Sequence, residues 1–138
     1  MNAVYMHFGK WSFPDLEAGF QAVERQFAAA LEAADYLEVK RRVAEATLRA
    51  AQDTEQPVDR CLELLARVEQ LGWSSLYGKA NLLGAFSRYC LNHGRKDVGL
   101  HFLVPVIAEL EQDYAPPDKE AFMVWLNGLR KLLTQLQA

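Results

Sequence analysis

Three histidines, two cysteines and eighteen acidic side chains are the groups of this chain best suited to hold a metal, move a proton or attack a substrate. A zinc pair on a helix needs two histidines at i and i+3 or i+4, and His7, His93 and His101 are too far apart to supply one. His93 reads as a helix C-terminal residue favoured by the local dipole, and His101 sits among apolar neighbours. There is no glycine-rich phosphate loop, no Gly-x-Ser-x-Gly elbow and no His-Glu-x-x-His motif. Glu17, Glu24, Glu32, Glu63, Glu69, Glu109 and Glu111 mostly fall opposite apolar stripes, where a solvated helix face accounts for them without an acid-base pair. Cys61 and Cys90 occupy apolar helical positions and read as buried thiols, since two cysteines make no disulfide framework in a chain this long. No metal and no cofactor is expected, and no catalytic residue stands out.

The remaining polar and aromatic clusters suit recognition better than bond making. Lys40, Arg41 and Arg42, with Arg49 two turns on, form the sharpest charge feature, but Glu38 and Glu45 interleave with it. Together with a net charge of -3, this argues against nucleic acid and against an anionic membrane surface as partners. Tyr5, Phe8, Trp11 and Phe13 crowd the segment ahead of the first helix, as an arm that either caps the helix array or anchors a partner. Tyr77, Arg88, Tyr89 and His93 are the groups around which an enzyme or small-molecule sensor would build a pocket between helices.

The elements that must position these groups are helices. With 138 residues, 51% hydrophobic and 24% charged, the chain fits one globular domain over residues 1–138. No apolar run reaches the length of about 20 residues that a membrane helix needs, and "MNAVYMHFGK" lacks the pattern of a signal peptide, so a cytoplasmic protein is expected. Leu16, Phe20, Val23, Phe27 and Leu31 stripe a first helix over about 13–33, capped by Ser12. Asp35 and Glu38 make a capping box for a second, striped by Tyr36, Val39, Val43 and Ala46, although one continuous helix through Asp35 is the alternative. A third starts at Pro57, faces Val58, Cys61, Leu62, Leu65, Val68 and Leu71 inward, and stops at Gly72. A fourth starts at Ser74 or Ser75 and ends at Asn92 to Gly94, with Gly78 and Gly84 marking close approach of a neighbour.

Gly94 lets the chain reverse into a fifth helix, capped by Asp97, carrying Val98, Phe102, Val106 and Leu110 on one side, with Tyr114 as a candidate last member, and bent by Pro105 near His101. The run "LHFLVPVI" reads as helix over buried strand because no partner strand is visible. A sixth helix follows Pro117, striped by Phe122, Trp125, Leu126, Leu129, Leu132, Leu133 and Leu136. The pattern predicts an all-α chain of about six antiparallel helices arranged as three hairpins, with a short N-terminal aromatic arm.

Leu83, Phe86, Ser87, Cys90, Gly94, Gly99, Leu103 and Val106 follow the large and small spacing of a tetratricopeptide repeat, and "DYLEV" with Val39 and Val43 looks like the turn of another. The chain therefore resembles a divergent tetratricopeptide-like protein, which implies a right-handed array or bundle of hairpins. Through "YCLNHGRKDVGLHFLVPVIAELE" and "LRKLL" its C-terminal part is also similar, more weakly, to the C-terminal helical domain of TssA-type type VI secretion proteins. That likeness implies self-association in an assembly platform. The expected function is non-enzymatic binding of another protein or of a second copy, as a small bacterial adaptor, secretion chaperone or assembly subunit, or toxin immunity protein. The candidate partner-binding residues are Tyr5, Phe8, Trp11, Lys40, Arg41, Tyr77, Arg88 and Tyr89.

Overall fold

The computed structural model of the protein describes residues 33–138 and, ahead of them, the helical positions Ala18, Gly19, Gln21, Ala22 and Arg25. The first helix's apolar stripe and the aromatic arm, with Tyr5, Phe8 and Trp11, lie outside the described residues, as does the choice between a hairpin and one helix over residues 13–52. Among the described residues every regular element is an α-helix, in the order α1 (Ala33–Asp53), α2 (Val58–Leu71), α3 (Leu76–Asn92), α4 (Lys96–Asp113) and α5 (Lys119–Gln137). The run "LHFLVPVI" lies within α4 and is helical. The chain divides into two compact units, Met1–Trp73 and Ser74–Ala138.

In the first unit α1 and α2 pair as a hairpin. The α1 face turned inward carries Val39, Val43, Ala44, Thr47, Leu48 and Ala51, so Ala46 is only partly covered. Thr47 sits there without cost because its hydroxyl donates to the Val43 carbonyl at 2.7 Å. Asp35 is not the expected cap: α1 already runs through it, leaving it in the first turn, and Glu38 instead accepts from Arg42 Nε at 2.8 Å. The turn closes through Glu55, at φ 55°, and a bond from Gln56 N to the Ala51 carbonyl at 2.9 Å. Pro57 then precedes α2, which buries Val58, Cys61, Leu64, Leu65 and Val68. Leu62 and Leu71 are only half-buried, and Leu64 takes the inward place.

Glu45, half-buried on α1, has its carboxyl pushed up from the ordinary value of 4.5 by burial, to which Glu38 adds and which Arg49, Arg42 and Arg41 oppose. Well below pH 4.5 the group is protonated folded and unfolded alike; as pH rises through the raised value, the folded state must carry a poorly hydrated charge and loses stability. Glu45→Gln mimics the protonated form, so it should raise the urea midpoint at neutral pH and leave it unchanged in acid. A gain that stays constant across the titration would show that burial of this charge is not its source.

In the second unit α3, α4 and α5 pack consecutively. Ser75 caps α3, its hydroxyl accepting from Gly78 N at 3.0 Å. Gly94 ends the helix at φ 73°, with Arg95 N donating to the Cys90 carbonyl at 2.8 Å and Gly94 N to that of Leu91 at 3.4 Å, the paired bonds of a Schellman stop. This is the left-handed position a side chain would strain. The α3–α4 hairpin that follows is antiparallel: Lys79 Nζ, near the start of α3, meets Glu109 Oε1, near the end of α4, at 2.8 Å. Asp97 does not cap α4. The cap position is Arg95, without a side-chain cap bond, and Asp97 lies in the first turn, 3.6 Å from Arg95 Nε.

The inward face of α4 carries Gly99, Leu103, Val106, Ile107 and Leu110: Val106 and Leu110 are where they were expected, while Gly99 and Leu103 take the places of Val98 and Phe102, which are only half-buried. It turns that way because Gly99 is the point of closest approach: a Cβ there would lie 2.8 Å from Leu136 Cδ2 and 3.2 Å from the Ser87 carbonyl oxygen. Gly84 plays the matching part on α3, against Leu129 of α5 at 2.8 Å. Pro105 and His101 are both exposed, and α4 runs on past them to Asp113. Asp118 caps α5 by accepting from Ala121 N at 3.1 Å, and Leu126, Leu129, Leu132 and Leu136 complete the core.

Candidate functional site: the outer face of α3 and α5

On α3 the residues Tyr77, Asn81, Gly84, Ala85 and Arg88 recur at helical spacing and form one stripe. Opposite Asn81, Gly84, Ala85 and Arg88, α5 presents Val124, Trp125, Gly128, Leu129 and Leu132, and between the two helices lies an open groove of about 480 Å³. The groove exists because small residues floor it. At Gly128 a Cβ would meet nothing within 4 Å, so the missing side chain leaves space rather than accommodating a neighbour. Val124 stands beside it with 75% of its surface exposed, the most exposed large apolar side chain of the described residues, and Met123 is 44% exposed. Arg88 marks the far rim, with Nη1 3.5 Å from Gln135 Oε1.

Trp125 also belongs to a second, smaller cavity of about 250 Å³ at the other end of α3, shared with Tyr77, Tyr114, Pro116, Pro117, Asp118, Ala121 and Phe122. The rings form a continuous chain. Centroid separations are 4.9 Å for Tyr77 and Trp125, 6.0 Å for Trp125 and Phe122, and 5.1 Å for Phe122 and Tyr114. Each is tilted against the next, by 43°, 56° and 42°, so the planes wrap a concavity instead of stacking flat.

Of the residues expected to meet a partner, Tyr77 and Arg88 share this face, about 16 Å apart along the α3 axis. Tyr89 is turned away from it: only 8% exposed, it lies against the His93 ring at 4.0 Å, and its carbonyl is 2.9 Å from His93 Nδ1. Lys40 lies over the Tyr36 ring at 5.0 Å in the first unit. Arg41 fastens the α1–α2 hairpin, its Nε donating to the Leu71 carbonyl at 3.1 Å, where a cation also offsets the C-terminal end of the α2 dipole. Val124 and Gly128 of the groove and Tyr114 and Phe122 of the cavity are lining residues that the sequence reasoning did not single out for binding.

The pocket that an enzyme or sensor would build from Tyr77, Arg88, Tyr89 and His93 does not assemble as a unit, because Tyr77 and Tyr89 stand about 18 Å apart along one helix. Cys61 and Cys90 are buried thiols in separate units. Among the described residues no three His, Cys, Asp or Glu side chains gather as metal ligands, and no helix is long and apolar enough to cross a membrane. Comparison with protein-family models, with curated proteins and with solved structures finds no match for this chain.

Proposed function

We propose that this chain is a non-enzymatic protein-binding module whose recognition surface is the α3/α5 groove, and that the occupant is an amphipathic helix of a partner protein. The observation that carries this reading is the groove itself: an apolar trough floored by Gly84, Ala85 and Gly128, with Val124 largely in solvent. Exposed apolar surface of this kind costs solubility unless a partner covers it. The trough follows α3 for about 10 Å from Asn81 to Arg88, two turns, which is the footprint of a helix presenting anchors at i, i+4 and i+7. Arg88 at its end suits an acidic residue flanking those anchors.

Two helical hairpins, α1–α2 and α3–α4, the second with Gly99 where α4 packs against Ser87 of α3, support a tetratricopeptide-like arrangement as the scaffold. An adaptor, a secretion chaperone or assembly subunit, or an immunity protein would each use such a face in the cytoplasm, and a second copy of the chain is the other occupant to test. Val124→Glu places a charge on an exposed position, and Gly128→Leu fills open space, so neither disturbs the core. Immobilised wild type should retain a stoichiometric protein from its source cell, or sediment as a concentration-dependent oligomer. Both variants should lose about tenfold or more in that affinity. A wild-type chain that sediments as a monomer, retains no protein and holds a metabolite instead would overturn the proposal.

A further inference from the structure

The aromatic cavity at the other end of α3 carries an inference independent of what fills the groove: we propose that it binds an alkylated ammonium group. Three observations converge. Four aromatic rings, of Tyr77, Trp125, Phe122 and Tyr114, wall one concavity, with successive centroids 4.9 to 6.0 Å apart and successive planes turned by 42° to 56°. Tyr77 keeps 50% of its surface exposed, so the wall is open to a ligand. At about 250 Å³ the space falls below the range of roughly 300–1,000 Å³ typical of drug-sized ligands, and suits a headgroup.

The second observation is charge. Among the described residues no lining side chain is cationic, while the Asp118 carboxylate stands at the wall. The segment that carries it, "DYAPPDKE", sets Asp113, Asp118 and Glu120 against Lys119 alone. The nearest cation on α3, Lys79, is already held by Glu109 at 2.8 Å.

The third observation disposes of the opposite charge. The first N–H groups of α5 would otherwise attract an anion, but Asp118 Oδ1 already takes the Ala121 N–H at 3.1 Å, so an anionic ligand would meet a carboxylate. Aromatic rings attract a cation through their negative faces, and an ammonium wrapped in methyl groups sheds its water easily enough to enter an apolar cavity. A neutral group of the same shape gains only the apolar contact.

The chemistry has two sources, a free choline-like molecule or a methylated lysine side chain of a protein, and one experiment separates them. Full-length protein is titrated with choline, with its neutral isostere 3,3-dimethyl-1-butanol, and with a short peptide carrying trimethyllysine beside its unmodified twin. The indole N–H signal of Trp125, assigned with Trp125→Phe, is followed by NMR. Choline or the trimethyllysine peptide should bind at least about fivefold more tightly than its neutral or unmethylated counterpart. The tighter of the two names the source.

Asp118→Asn keeps an effective helix cap and removes the charge, so it should narrow that preference while leaving the neutral compound's affinity unchanged. Phe122→Ala should weaken every ligand. Gly128→Leu, which fills the groove without adding a charge, should leave the cavity's preference for the cation alone, so the two proposals fail separately. Equal binding of cation and isostere, or no saturable shift with choline and with the methylated peptide, overturns the assignment.

Discussion

Replacing Phe86 by alanine should destabilise the Ser74–Ala138 unit by about 3–5 kcal/mol, the range seen when a fully buried aromatic side chain is emptied from a core. Phe86 is 0% exposed and meets the Phe102 ring edge-on at 5.7 Å and 73°, and Leu82, Leu83 and Cys90, one turn away on the same helix, are buried with it. Two losses combine: the transfer energy of the ring, and the contacts that the surrounding side chains forfeit across the void. The neighbours have little freedom to collapse into it, because α3 and α4 are pinned by the Lys79–Glu109 pair and by the Ser87 hydroxyl on the Gly99 carbonyl at 3.2 Å. Domains are stable by only about 5–15 kcal/mol, so this change consumes a large part of what holds the unit together. Urea unfolding followed by circular dichroism should show a lower midpoint with an unchanged slope. A loss under about 1 kcal/mol would mean that the core repacks far more freely than its burial implies.

The features legible in the sequence were those set by local chemistry. Ser75, Gly94, Gly72 and Pro117 mark helix ends correctly because a cap or a left-handed stop depends on residues within one turn. The leucines of α5 mark its inward face because only one side of that helix is continuously aliphatic. On α4, Val106 and Leu110 were legible but Val98 and Phe102 lie one residue off the packed face for an identifiable reason: hydrophobic periodicity assigns Gly99 no weight, whereas packing gives the smallest residue the closest contact. Arg41 carries no sequence sign of its role, since its acceptor is a backbone carbonyl thirty residues away. The same holds for the binding face. Tyr77 and Arg88 are legible as one stripe of α3, but the groove and the aromatic cavity appear only when α5 and the α4–α5 connection are folded against that stripe.

Gly99 and Gly128 should respond to substitution with opposite signs, although each is a glycine inside a helix. By helix propensity alone either would gain about 0.8–1 kcal/mol on becoming alanine. At Gly128 nothing opposes that gain, because the position of a Cβ is open, so Gly128→Ala should raise the melting temperature by about 4 °C. At Gly99 the first side-chain carbon alone would lie 2.8 Å from Leu136 Cδ2, 3.3 Å from its Cδ1 and 3.2 Å from the Ser87 backbone oxygen. Leu136 is 2% exposed, hence without room to retreat, and Ser87 is bonded back to Gly99 itself. Gly99→Leu must therefore push α3, α4 and α5 apart where they meet, at a cost of about 3 kcal/mol, the upper part of the usual overpacking range. Calorimetry of the two variants beside wild type measures both signs at once. If Gly99→Leu melts with wild type, the close crossing of these helices is not what the sequence uses its glycine for, and the face of α4 that packs inward must be another.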